Sequence, residues 1–251
     1  MPSVLVTGAG RGIGRAITEH MSRRGWTVYA TARSDAALRD LDALPNVHAI
    51  ALDISDRAAI AALPERLPAE LNGVVNNAGI VVNGPVEGLA LDDLTRQFDV
   101  NVIAQIAVTQ VVLPKIRSSQ GRVVFISSVS GLFTTPGTGA YNASKYAIES
   151  LADALRIELR PWKIPVSLIE PGPIRTDMWA DVLADHDQMA DQLSAEHRRL
   201  YASHLAGTRK LLGRMQKIAA DPERVTKAVE HALTSRHPNP DFPRNGGWRG
   251  V

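Results

Sequence analysis

Ser3-Val4-Leu5-Val6-Thr7, followed by Gly8-Ala9-Gly10-Arg11-Gly12-Ile13-Gly14 and a run to Arg24, decides the fold. The first segment is short, apolar and strand-like. The second is a turn crowded with glycine. In the third, Ile13, Ala16, Ile17, His20 and Met21 recur at the spacing of one helix face. Gly25 stops the helix, and Trp26-Thr27-Val28-Tyr29-Ala30-Thr31 returns to an apolar strand. Strand, glycine turn, amphipathic helix and strand make a βαβ unit.

The alternation then repeats. Spacing predicts a helix over 35–43, a strand over 47–52, a helix over 56–67 and a strand over 73–76. Helical segments follow over 91–118, with Pro114 near their C-terminal end. A strand is expected over 122–126, a helix carrying Tyr141 to about 160, and a strand over 165–169. The strands are apolar without polar alternation, as in a parallel sheet covered on both faces. The stretch 175–216 is long, charged and helix-rich, as lids are. Asp221 and Pro222 predict an N-cap and first helical residue for a last helix to about Ser235. Residues 238–251 are rich in Pro, Gly and Asn and make a poor strand. The expectation is one α/β domain over 1–251: a Rossmann-type, doubly wound parallel sheet with a helical substrate lid at about 175–218.

Composition bounds the function. The chain has 251 residues, 45% hydrophobic and 22% charged, enough for a large core. A net charge of +2 without a Lys/Arg block argues against nucleic acid as a partner. With no cysteine, disulfides, thiolate metal sites and a cysteine nucleophile are excluded. No apolar run is read as long enough to span a bilayer, and no leader-like N-terminus is read, so the expectation is a cytoplasmic protein with no membrane partner. The histidines and carboxylates are not spaced as metal ligands.

Several residues carry chemistry. Gly8, Gly12 and Gly14 let a backbone approach a pyrophosphate at a helix N-terminus. The second strand ends Thr31-Ala32-Arg33-Ser34, where a ribose-binding carboxylate would favour NAD. Arg33 stands there instead, with Arg11 in the glycine turn. Two guanidinium groups suit a ribose 2′-phosphate, so NADP(H) is expected over NAD(H). Asn76-Asn77-Ala78-Gly79 puts small residues at a strand's carboxyl end, where a cofactor can lie against the backbone, and Asn76 could tie neighbouring strands together. Ser127 and Ser128 follow the next strand at the same edge. Tyr141 and Lys145 stand at i,i+4, one face of a helix, where an ammonium would lower the phenol pKa and fit the tyrosine for proton transfer. No Ser/His/Asp arrangement or G-x-S-x-G elbow is present, and most histidines read as surface residues on the later helices.

Together these segments resemble the short-chain dehydrogenase/reductase family over essentially the whole chain. Thr7 to Gly14, through Gly8, Gly10, Arg11, Gly12 and Ile13, matches its T-G-x-x-x-G-x-G cofactor turn. Asn76, Asn77, Ala78 and Gly79 match N-N-A-G, and Tyr141 and Lys145 match Y-x-x-x-K. The resemblance implies adenine contacts from Asp53 and Ile54. It also implies a nicotinamide-holding segment at Pro171, Gly172, Ile174 and Thr176, within P-G-x-x-x-T. The implied catalytic set is Asn101, Ser128, Tyr141 and Lys145, with Lys145 also on the ribose and Asn101 positioning a water.

The expected activity is NADP(H)-dependent interconversion of an alcohol and a ketone or aldehyde. A non-catalytic NADP(H)-binding sensor or scaffold is the alternative. Met178, Trp179, Val182 and Leu183, joined by Leu132 and Phe133, are expected to wall an apolar or bulky substrate. The partners implied are that small molecule and, by resemblance, a second or further copies of the chain in a homodimer or homotetramer through 102–118 and 145–160.

Overall fold

The computed structural model describes residues 1–176 and 178–242, those of 178–181 by backbone alone. Seven described strands form one parallel sheet: β1 (Ser3–Val6), β2 (Thr27–Ala32), β3 (Val47–Ala51), β4 (Gly73–Asn76), β5 (Arg122–Ile126), β6 (Val166–Ile169) and β7 (Asp241–Phe242). Their order is β3-β2-β1-β4-β5-β6-β7. Order reverses between β1 and β4, and such a switch point opens a crevice at the carboxyl edge.

Alternation within the strands splits the core into two layers. Leu5, Val74, Val123, Phe125 and Leu168 face one layer; Val4, Val6, Val75, Val124 and Ile169 face the other. The first layer is covered by α3 (Arg57–Ala62), α5 (Ala104–Ser119) and α6 (Gly139–Glu158), through Ile60, Val108, Val112, Ile116 and Ile148. The second is covered by α1 (Gly12–Arg23), α2 (Asp35–Asp42) and α10 (Glu223–Thr234), through Ile17, Met21, Leu41, Val225 and Val229. With both faces covered, strands need no polar alternation. The Glu230 carboxylate also clamps α10 to α1, taking His20 and Arg24 together.

Several boundaries differ from the sequence expectation. The helix expected over 56–67 ends at Ala62 and tightens into a 3-10 turn, Leu63–Arg66, because Pro64 has no N–H to continue it. The run expected over 91–118 is α4 (Leu91–Phe98), a π-helical turn at Asp99–Ile103, and α5, which carries Pro114. This run, Leu91–Ser119, is by length and composition apolar enough to cross a membrane, although no such run was read from the sequence; 44% of its window is buried inside the fold, against the sheet. Pro222, not Asp221, caps α10, but the Asp221 carboxylate still accepts the Glu223 N–H at 2.8 Å.

The stretch 175–216 forms α7 (Met178–Gln192), α8 (Ala195–Leu200) and most of α9 (Ala202–Lys217). It is tied back to the body where Ile174 bridges Ala220, and where the Tyr201 hydroxyl donates to Glu87 at 2.6 Å.

The poor strand expected near the C-terminus does pair. Asp241 and Phe242 lie parallel to Leu168 and Ile169; positions 243–251 lie outside the described residues. Two residues of sheet hold because α6 reaches over them. Arg156 donates to Val166 O, Pro240 O and the Asp241 carboxylate, each at 3.0 Å, and also pairs with Asp153. Replacing Arg156 by Met should therefore cost about 2 kcal/mol, a few charge-assisted bonds' net worth, and lower Tm by about 4–8 °C. Thermal unfolding followed by circular dichroism checks this; an unchanged Tm would show that β7 is held by other means.

Candidate active site

Gly8 follows β1 at φ +65°, a conformation that side chains rarely adopt. A Cβ on Gly14 would stand 2.3 Å from Gly8 O and 2.4 Å from Asn77 Nδ2, so only glycine lets α1 start this close to the strand ends. Arg11 occupies the N-cap with extended backbone; no side chain caps α1 there and its first turn holds no acidic residue. Free N–H groups and the positive helix end suit a pyrophosphate. The geometry therefore fits a dinucleotide at Gly8, Gly10, Arg11, Gly12, Ile13 and Gly14.

Arg33 lies just past β2 and is well exposed, 3.9 Å from the Asp53 carboxylate. Hydrogen bonds from Ser55 hold the Asp53 carboxyl below the usual range, against partial burial, and the Arg33 charge adds to them. Ile54 is buried beneath, packed with Ile60 and Leu63.

The turn after β4 is fastened by side chains. The Thr7 hydroxyl accepts the N–H groups of Asn77 (3.0 Å) and Ala78 (3.1 Å), while Asn77 Nδ2 donates to Thr7 O (2.9 Å) and Gly8 O (3.2 Å). Asn77, not Asn76, thus ties β1 to β4. Asn76 points the other way and donates to Thr109 on α5 at 2.9 Å. Gly79 faces Asn101, which a Cβ would approach to 3.2 Å.

From the helical side three buried amides grip the same chain. Gln97 accepts the Val82 N–H (2.6 Å) and donates to Ile80 O (2.9 Å); Asn101 accepts the Ile80 N–H (2.8 Å) and donates to Ile80 O (2.9 Å); Gln105 donates to Ala78 O (2.8 Å). Asn101 sits on the π turn and also donates to Ser144 Oγ at 3.2 Å. Its side chain is thus engaged with the loop and with Ser144. Gln97, Gln105 and Ser144 are not singled out by the sequence, and Thr7 is only as the first residue of the glycine-turn motif. The legible signal was the 97, 101, 105 repeat of amides along an otherwise apolar helical run.

Ser128 ends the strand edge after β5 and accepts the Ser130 N–H at 3.1 Å. It also contacts Pro171 O, and Val129 N–H donates to the same carbonyl at 3.1 Å. That pair draws the 171–176 segment against the serine, while Ile174 is pinned to Ala220. Gly172 and Thr176 are half-buried on this segment.

Tyr141 lies in the first turn of α6, beside Ser128. Its phenol does not titrate as the sequence predicted. Burial pushes its pKa up, and the neighbouring Ser128 hydroxyl opposes this. Lys145 Nζ is 5.7 Å from the Tyr141 ring centroid and donates instead to Ile126 O at 2.8 Å. Lys145 is only 5% exposed, and burial lowers its pKa to about 8, with the Glu149 charge resisting.

A cavity of about 450 Å³ lies beside the start of α6, lined by Pro85, Val86, Pro136, Met189 and Leu205 among others. The expected substrate wall differs: Leu132, Phe133, Val182 and Leu183 do not line this cavity, and the side chains of Met178 and Trp179 lie outside the described residues. His186 does line it and is 2% exposed, contrary to the surface position read for the histidines.

Comparison with known proteins places these features. The family model described as short chain dehydrogenase matches residues 2–187. Rattus norvegicus retinol dehydrogenase 16 is 34% identical, over 98% of this chain and 80% of its own. The NADPH-dependent 3-dehydrocapnine reductase of Ornithobacterium rhinotracheale is 32% identical, over 95% and 86%. A crystal structure of a short-chain dehydrogenase from Streptomyces avermitilis superposes with TM-score 0.81 at 31% identity, covering 96% of this chain and 86% of that one.

The lysine yields a signed prediction. Its folded pKa lies below the unfolded value of about 10.4, so burial of the charge opposes folding below pH 8 and that cost is relieved as pH rises towards 10.4. Relative to a Lys145→Met variant, the wild type should gain about 3 kcal/mol between those limits. Urea unfolding of both proteins from pH 7 to 10 measures the difference; a gap independent of pH would show that Lys145 is not desolvated.

Proposed function

The chain belongs to the short-chain dehydrogenase family, and from that premise we propose that it reduces the carbonyl of an apolar, bulky ketone or aldehyde with NADPH. That it is an oxidoreductase acting on alcohol and carbonyl groups follows from the family and from its reductase and dehydrogenase relatives. The observation that carries the mechanism is Ser128 standing beside the buried Tyr141 phenol, with the uncapped N-terminus of α1 at the same sheet edge.

The nicotinamide supplies hydride when bound. The protein's own groups orient and polarise the carbonyl. Ser128 hydrogen-bonds the carbonyl oxygen, and Tyr141 gives that oxygen a proton as negative charge develops on it. Because burial raises the Tyr141 pKa, the phenol is protonated at neutral pH, as a proton donor must be. Lys145 stands one helical turn further on, where it can reach the ribose hydroxyls and supply positive charge. Asn101 positions the loop at Ile80. Filled Ser128, Tyr141 and Lys145 positions favour turnover over a sensor role, which requires none of them.

The preference for NADP(H) rests on Arg33 and Arg11 and on the absence of a carboxylate at the end of β2, and is in keeping with the relative named as NADPH-dependent. We propose a cytoplasmic homodimer or homotetramer. The exposed Tyr146, Leu151 and Ile157 on α6 support that assembly, since apolar side chains along one helix are candidates for burial against a partner.

Two measurements test this. Tyr141→Phe should lower kcat for carbonyl reduction by about 10²–10⁴-fold while the Kd for NADPH stays nearly constant. NADPH absorbance against a ketone and aldehyde panel reads this, and undiminished turnover would overturn the assignment. Arg33→Ala should weaken NADP⁺ roughly tenfold or more, the loss of a charge-assisted bond, and leave NAD⁺ almost untouched. Titration calorimetry with both cofactors decides; equal losses would place Arg33 away from the 2′-phosphate.

A further inference from the structure

The cavity beside α6 is apolar along most of its lining, with Pro85 and Val86 from the loop after β4, Pro136 from the loop before α6, and Met189 and Leu205 from α7 and α9. Its two loop walls are joined, Gly84 bridging Thr138 and donating to Gly137 O at 2.8 Å. Gly139, also in the lining, is two residues before Tyr141 on the same helix. Ser128 and Tyr141 do not line the cavity themselves, and Gly139 is its link to them along the chain.

Thr134, Thr135, Tyr201, His204 and Thr208 also line it, but His186 differs from them in carrying a buried ring nitrogen left without a partner among the described residues. His186 is 2% exposed, and among the described residues its Nε2 is buried with no hydrogen-bond partner. Buried nitrogen atoms without partners are uncommon and call for a ligand or a water. The other ring nitrogen is committed: Nδ1 is 3.2 Å from Asp187 Oδ1. That carboxylate is in turn held by Arg209, Nε at 2.9 Å from Oδ1 and Nη2 at 3.1 Å from Oδ2. Arg209 first, and His186 second, keep the Asp187 carboxyl below its ordinary range, so it remains an anion that accepts the Nδ1–H. An acceptor on Nδ1–H fixes the tautomer and leaves Nε2 with a lone pair. Nε2 can then accept a hydrogen bond and cannot give one. A cationic donor would bring a charge into an apolar cavity, which is costly; a neutral hydroxyl would not.

We propose that His186 is the specificity-determining acceptor of this cavity, selecting ketones or aldehydes whose apolar body carries a second hydroxyl remote from the reacting carbon. The inference rests on the carbonyl-reductase reading for its substrate, while the binding site stands on the cavity itself. An apolar pocket discriminates weakly between analogues, whereas a buried polar group rejects the analogue that leaves it unpaired.

The test uses methyl ketones of about six to twelve carbons, lengths that a cavity of this size admits. Each is made in three forms: unmodified, with a terminal hydroxyl, and with that hydroxyl methylated. At one chain length the wild type should prefer the hydroxy ketone over both others by about tenfold in kcat/KM. His186→Phe should abolish that preference with the rate on the unmodified ketone little changed, and His186→Gln, which retains an acceptor, should restore part of it. No preference at any length, or an equal preference in His186→Phe, overturns the proposal. If no ketone is turned over, the reductase reading fails separately. Calorimetric binding of the same compounds to the NADPH-loaded protein then decides: tighter binding of the hydroxy form in wild type but not in His186→Phe upholds the acceptor role, and equal or undetectable affinities overturn it.

Discussion

The peptide chain from Asn77 to Val82 leaves the sheet with buried N–H and C=O groups and no strand to pair them, and everything at the catalytic edge depends on how those groups are satisfied. A buried backbone amide without a partner costs about as much as a lost hydrogen bond. The Thr7 hydroxyl, just past β1, accepts the Asn77 and Ala78 N–H groups, and Gln97, Asn101 and Gln105 meet the requirement from the helical side. The three amides stand four residues apart, across a π turn that widens the helix where Asn101 reaches Ile80. Single π turns are commonly found at functional sites. Here the turn allows one helix to hold the loop, while Asn101 also touches Ser144 in the turn that carries Tyr141 and Lys145.

That arrangement sets the electrostatics of the site. Lys145 is buried with its ammonium on Ile126 O, at the end of the strand that leads to Ser128. Tyr141 is kept protonated by burial, with the Ser128 hydroxyl beside it opposing the shift. The desolvation of Lys145 is a stability cost, of the kind found where ionisable groups are placed for chemistry rather than for folding.

Much of this was legible from residue order. The βαβ start, the strand and helix alternation and the strand ends bearing Gly8, Asn77 and Ser128 follow from period and glycine placement, which depend on neighbours in the chain. Other features were not. Asn76 and Asn77 are adjacent and alike, and strand alternation alone sends one to Thr109 and the other to β1. The strand at Asp241 was hidden by its prolines and glycines because its support, Arg156, lies 85 residues away. The direction of the Tyr141 pKa was misread because an i,i+4 spacing gives proximity but neither burial nor the lysine's choice of partner. His186 reads in the sequence as one more polar residue on a charged helix, although the fold buries it at the edge of a cavity.

What the sequence by itself determined is the kind of molecule and the positions of its reactive groups: a doubly wound parallel sheet, a glycine turn before α1, and Ser128, Tyr141 and Lys145 in one order. These depend on local backbone freedom and on hydrophobic period, which act over a few residues. The tertiary structure alone decided which amides hold the 77–82 chain, where Lys145 spends its ammonium, and that His186 lines a cavity with one ring nitrogen left without a partner among the described residues. Those outcomes depend on desolvation and on hydrogen bonds between distant segments, and neither exists until the chain has packed.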